Sequence, residues 1–240
     1  MRKIPDSETT VVCFALEAES GAFVRRLTGR KRFKQAGFAL VHGWLNECEI
    51  LVVHTGVGSE KVRQAIESGI LATPKRLISA GFAGALVPEL KLLQVIFPSE
   101  VRDETHTCIP LETPPAVGNS DSAGNPERLL TSSRLLGTPE EKHAAHQQHG
   151  ATVVDMETFF LADYCRQHAI PFRSVRVISD TVEQSLLSEI TQPTFGAQLL
   201  AAFLLVLRHP SRLWELCRLQ KTARAGARLL ADVLGDGTLF

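Results

Sequence analysis

A chain of 240 residues, 44% hydrophobic and 22% charged, fits one large globular domain or one domain with an appended segment. Its formal net charge is zero, which argues against a nucleic-acid binder and against an acidic-tail protein.

In chain order, residues 11–16 read as a first strand and 18–27 as the helix after it. The run 31–34 is a basic connection, and 39–44 with 49–54 form a hairpin turning near Asn46-Glu47. Thr55-Gly56-Val57-Gly58 ends that strand, and Ser59 is placed to cap a helix over 60–72. A strand at 76–80 is closed by Gly81-Phe82-Ala83-Gly84, and 93–97 continues the strand pattern. Residues 102–125, rich in Pro, Thr, Ser, Asp and Gly, read as a loop over a pocket. A strand at 128–131, a polar helix at 140–149, a short strand at 152–154, a helix at 157–167 and a buried strand at 172–178 follow. Strands alternating with helices predict an α/β fold: a single domain whose central sheet, made mixed by the hairpin, is flanked by helices.

From Thr191 the texture changes to helix, at 195–207 and 211–234, with Pro210 between. The expected organisation is therefore a catalytic domain over 1–190 and a C-terminal helical extension over 191–240 packed on it. In the last helix Leu213, Leu216, Leu219, Ala223, Ala227, Leu230 and Leu234 share a stripe, opposite Arg212, Arg218, Lys221, Arg224 and Arg228. The stripe suits packing on the sheet or on a second subunit. The basic face suits contact with an anionic membrane surface.

Five scattered cysteines (Cys13, Cys48, Cys108, Cys165, Cys217) make no CxxC pair. Neither a zinc site nor a disulfide framework is indicated, and a reduced, cytoplasmic setting is expected. Residues 1–10 lack the apolar stretch of a signal peptide. The longest apolar run, 199–207, falls short of the roughly 18 residues of a membrane span.

Three acids follow apolar strand-like runs: Glu17 or Glu19 after the first, Glu157 after Val154-Asp155-Met156, and Asp180 after Arg176-Val177-Ile178-Ser179. Ligands in open α/β sheets bind at the carboxyl ends of strands, so acids there are placed for chemistry. Each also has a structural reading. Asp180 suits a cap, Glu157 suits the positive end of a helix dipole, and the glycines suit turns. His54 and the group His143, His146 and His149 match no metal-ligand set, so no metal is expected.

Five motifs, in order, resemble the nucleoside phosphorylase/nucleosidase superfamily: Ala15-Leu16-Glu17-Ala18-Glu19, Thr55-Gly56-Val57-Gly58, Gly81-Phe82-Ala83-Gly84-Ala85-Leu86, Val154-Asp155-Met156-Glu157 and Ile178-Ser179-Asp180. The pattern is most similar to that of 5′-methylthioadenosine/S-adenosylhomocysteine nucleosidases. The resemblance implies that Glu19 activates the attacking water, Glu157 binds the ribose hydroxyls, and Met156 packs on the sugar. It implies that Asp180 protonates the purine at N7, that Ser179 positions Asp180, and that Ala83 and Gly84 form part of the floor. It also implies a small-molecule nucleoside substrate, no cofactor, and a homodimer.

Breaking an N-glycosidic bond builds positive charge on the ribose and negative charge on the base, which carboxylates and an acid respectively relieve. Asp180 must then be protonated near neutrality, which calls for burial or a neighbouring carboxylate. Two departures bear on specificity. Leu135 or Leu136 stands where the family places an aromatic residue against the purine, and Phe82 stands where a small residue is usual, filling space a phosphate would otherwise take. Neither glycine motif contains an Arg, leaving Thr55, Ser59 and Lys61 as phosphate donors. Hydrolysis is favoured on that ground. The Arg- and Leu-rich tail resembles that of hopanoid-associated phosphorylases, which makes phosphorolysis the alternative, and a nucleoside-binding protein without turnover is the reading from another class.

Overall fold

The computed structural model describes residues 8–113, 127–185 and 213–240. The helix expected at 195–207, Pro210 and most of the second half of the 102–125 loop lie outside the described residues.

Strand β1 (Thr10–Phe14) is apolar and buried throughout, and it lies between β4 (Cys48–His54) and β5 (Arg76–Ala85), parallel to both. Its side chains alternate between the faces of the sheet. Val11 and Cys13 join a core with α2 (Ser59–Glu67) and α4 (Thr158–Gln167), while Val12 and Phe14 join another with α1 (Glu17–Val24) and α5 (Leu213–Gly235). Burial on both faces is why the central strands read as continuous apolar runs.

Strand β3 (Phe38–Leu45) pairs antiparallel with β4 as the expected hairpin. The basic run 31–34 is not a connection but part of β2 (Thr28–Gln35), antiparallel to β3 at the sheet edge. Ala36 (φ 50°) and Gly37 (φ 86°) make the turn between them with two positive φ angles, the backbone a tight hairpin needs. Edge strands commonly carry charge, so the polarity that suggested a loop marks the edge instead.

Strand β5 also departs from expectation. It runs through Gly81-Phe82-Ala83-Gly84 to Ala85, because β11 (Phe172–Asp180) supplies a parallel ladder along Leu77–Gly84. Past it, β10 (Val153–Asp155) is antiparallel to β5 and parallel to β9 (Arg128–Thr131). The strands β6 (Val95–Ile96), β7 (Glu100–Arg102) and β8 (Cys108–Pro110) complete the sheet, which is mixed as expected.

Helix α2 stops at Glu67 rather than 72, two residues before Gly69 (φ 74°) turns the chain. Helix α3 (Pro139–His149) begins in a capping box: the Glu141 N–H donates to the Thr138 hydroxyl, and the Thr138 N–H to the Glu141 carboxylate.

Helix α5 lies on α1, β5 and β11, burying Ala227, Leu230, Ala231 and Leu234. The C-terminal part of the apolar stripe is thus covered by the chain itself. Beyond it, Phe240 stacks on Phe23 of α1 at 6.4 Å between ring centres. Among the described residues no helix is long and apolar enough to cross a membrane.

Candidate active site

Burial separates Glu17 from Glu19. Glu17 is 62% exposed and lies 3.8 Å from Arg32, whereas Glu19 is 5% exposed. Its carboxyl folds back over the start of α1, accepting the Leu16 N–H at 2.9 Å, and reaches across to the Phe82 N–H at 3.3 Å. Burial pushes its pKa up, against the lowering pull of those amides and of Arg176.

Glu157 stands at the start of α4, where a side chain ordinarily caps the helix. Asp155 does that instead, accepting the Thr158 N–H at 3.1 Å. Released from capping, Glu157 reaches the loop between β4 and α2 and accepts the Gly58 N–H at 2.6 Å. Burial, then the neighbouring Asp155 carboxylate, push Glu157 up to about 8. Met156 lies over the same loop, with its Cε 3.9 Å from where a Cβ on Gly58 would be.

Glu19 and Glu157 meet at one cavity of about 20 Å³, which Arg176 and Thr55 also line. No expected role fell to Arg176. It is 2% exposed and its guanidinium is saturated. Nε and Nη2 reach Asp155, Nη1 reaches the Ser79 and Val175 carbonyls, and Nη2 also donates to the Ser79 hydroxyl at 2.7 Å and to the Thr158 hydroxyl. The missed signal is an Arg flanked by Val175 and Val177 in the middle of a buried strand, since a buried charge must be paired.

Asp180 does not line that cavity. It ends β11 opposite Gly84, where a Cβ would approach its Oδ2 to 3.0 Å. Its carboxyl caps nothing: the Thr181 N–H goes to Gln184. It accepts the Ser179 hydroxyl at 2.6 Å, and that hydroxyl also lies 3.3 Å from the Ala83 carbonyl. Its other partner was not foreseen. Lys142 of α3, 0% exposed, donates to Asp180 Oδ2 at 2.6 Å. Asp180 is buried as its expected role requires, but its neighbour is an ammonium rather than a carboxylate. The polar helix expected to be solvated therefore hides one cation, and nothing in its local pattern distinguishes Lys142 from the surface charges beside it.

The remaining candidates sort readily. The Phe82 ring lies against α5, where a Cβ on Gly226 would come within 2.7 Å of it, and Phe82 also lines the cavity of Glu19 and Glu157. Leu136 is buried against Leu130 and Val154, while Leu135 is exposed. His54 is a satisfied core histidine, bonded to Ser20 at 2.7 Å and the Ala39 carbonyl at 3.0 Å, with its pKa lowered by burial. Among the described residues no group of three or more His, Cys, Asp or Glu is placed to hold a metal ion.

Buried carboxyl groups thus stand after β1 and β10 and at the end of β11, on one mixed sheet. The family model of the phosphorylase superfamily matches residues 9–127 and 128–204, and the chain belongs to that family. It is an enzyme of the N-glycosyl hydrolase or nucleoside phosphorylase kind.

Solved structures agree in fold. The 5′-methylthioadenosine/S-adenosyl homocysteine nucleosidase of Helicobacter pylori is similar over 97% of this chain and 100% of that one, with TM-score 0.67 and 17% identity. The futalosine hydrolase of Helicobacter pylori is similar over 96% and 98%, with TM-score 0.67 and 17% identity. The 5′-methylthioadenosine/S-adenosylhomocysteine nucleosidase of S. pneumoniae is similar over 95% and 98%, with TM-score 0.69 and 13% identity.

Proposed function

We propose that the protein hydrolyses the N-ribosyl bond of an adenine nucleoside, with 5′-methylthioadenosine and S-adenosylhomocysteine as the first substrates to consider. The observation that carries this reading is the shared cavity of Glu19 and Glu157. At about 20 Å³ it has room for about one water, and both carboxyls have raised pKa values. A carboxyl poised nearer neutrality is suited to hold and deprotonate an attacking water.

In this reading Glu19 holds the water, and Glu157 binds the ribose hydroxyls with Met156 packed on the sugar. Asp180 gives a proton to the departing base, Ser179 holds the Asp180 carboxyl, and Ala83 and Gly84 form the floor. Positive charge on the ribose then develops beside carboxyl oxygens, and the base leaves neutral.

Phosphorolysis needs donors free to converge on a phosphate. Arg176 supports the choice of water, because each of its nitrogens already has a protein acceptor. The single hydroxyl proton of Thr55 is likewise taken up, between the Phe14 and Gly56 carbonyls.

The test is mass-resolved product analysis with 5′-methylthioadenosine, S-adenosylhomocysteine and adenosine, with and without phosphate. Adenine plus free sugar in both buffers supports the proposal. A sugar 1-phosphate formed only with phosphate overturns the hydrolytic step, and no cleavage of any of the three overturns the substrate class. The proposed homodimer is checked by sedimentation, and the proposed membrane contact of Lys221, Arg224 and Arg228 by vesicle co-sedimentation.

A further inference from the structure

Lys142 has no place in the reading above, yet it is a fully buried cation whose three N–H donors are all engaged. They reach Asp180 Oδ2 at 2.6 Å, the Thr181 carbonyl at 2.8 Å and the Gln184 carbonyl at 2.9 Å. Burying an ammonium is costly unless it is paired and fully hydrogen-bonded. A helix that needed only an apolar contact here would be served by Leu or Met. The capping box fixes where α3 starts, and so places Lys142 one turn in, opposite the end of β11.

We infer that Lys142 is the positioning residue for Asp180, holding its carboxyl toward the leaving base and stabilising the charge left on it when the proton departs. This rests on the role proposed above for Asp180. Asp180 first takes a proton from solvent; as that O–H bond breaks and the N–H bond of the base forms, the electron pair stays on the carboxyl. That carboxylate is met at Oδ2 by the Lys142 ammonium and at Oδ1 by the Ser179 hydroxyl. Charge-assisted hydrogen bonds of this kind are stronger than neutral ones, and they gain strength as the carboxylate charge develops. Lys142 itself touches neither base nor sugar in this scheme. The same ammonium ties residues 181 and 184 to the acid, so the backbone after β11 is registered on the group it follows.

A merely structural Lys142 would affect every substrate alike, whereas one acting through Asp180 would affect only those whose leaving group needs a proton. The experiment compares 5′-methylthioadenosine with a nitrophenyl riboside, whose phenolate departs without protonation, in the wild type, Lys142→Met and Lys142→Arg. The expected result for Lys142→Met is a fall of about 10²-fold in kcat/KM on the nucleoside, the lower end of what a general acid supplies. Its nitrophenyl riboside rate should stay near wild type, and Lys142→Arg should recover part of the nucleoside rate.

Equal losses on both substrates, or no loss on either, overturn the proposal. A wild type that cleaves the nitrophenyl riboside but not the nucleoside, or neither, overturns the underlying function instead. Should Lys142→Met fail to fold, Lys142→Met/Asp180→Asn removes both charges together. It should match Asp180→Asn alone in nucleoside turnover, and a further loss would mean that Lys142 acts other than through Asp180.

Discussion

A Cβ on Gly84 would sit 3.0 Å from Asp180 Oδ2 and 3.3 Å from Val154 Cγ1, so the acid ending β11 rests on the bare backbone of β5. Asp180 has little room to retreat, being held by Ser179 and by Lys142. Gly84→Ala is expected to displace the carboxyl by a few tenths of an ångström. A 1 Å misplacement costs up to about 10²-fold, so a loss of about tenfold in kcat is expected, with little change in KM. Steady-state kinetics beside a thermal melt checks this, and an unchanged kcat would show that the acid does not need its present seat.

Asp180→Asn is expected to lower turnover of a nucleoside by about 10²–10⁴-fold. It also strips Lys142 of its counter-charge inside the protein, and breaking a buried pair from one side costs about 3–5 kcal/mol. Urea unfolding should therefore find the single variant less stable than Lys142→Met/Asp180→Asn, in which no charge is left unpaired.

Glu157 carries a signature in pH. Its folded pKa, about 8, lies above the ordinary 4.5. The native state thus binds the proton more tightly, and the stability this contributes is full below pH 4.5 and lost as pH rises through 8. Glu19 is shifted the same way. Glu157→Gln removes the Glu157 part, so its unfolding midpoint should gain on wild type as pH rises through that window and hold level above it. Parallel midpoint curves for the two proteins would refute the assignment. The same variant should lose discrimination between ribo- and deoxyribonucleosides.

Helix α5 meets the sheet through Gly226, where an added Cβ would lie 2.7 Å from a Phe82 ring carbon. Gly226→Leu overfills that contact, and a loss of about 1–3 kcal/mol is expected. Phe82→Ala should relieve part of it. Urea midpoints of the two singles and the double measure the coupling.

Much of this was legible because the strands that carry the site are buried on both faces and therefore read as apolar runs. Strand β9 lies where the pattern places it, Glu19 and Glu157 follow β1 and β10, and Asp180 closes β11, which runs two residues past its expected end. What was not legible depended on partners distant in sequence. Strand β2 is exposed along nearly its whole length, so its composition is that of a loop and only pairing with β3 makes it a strand. Lys142 is buried because Asp180, 38 residues later, lies over it. Arg176 stands in β11, yet its partners come from elsewhere, Ser79 from β5 and Asp155 and Thr158 from the junction of β10 with α4. The α5 stripe suited the sheet or a second subunit; the helix does lie on β5 and β11, but α1 covers it too.

That cover ties the acid of the first helix to a distant part of the chain. Helix α1 presents Glu19, and its outer side is completed by Leu230, Ala231, Leu234 and the Phe240 ring on Phe23. The seat of Glu19 is thus closed by a long-range contact, and a substitution on the inner face of α5 reaches the acid without touching it.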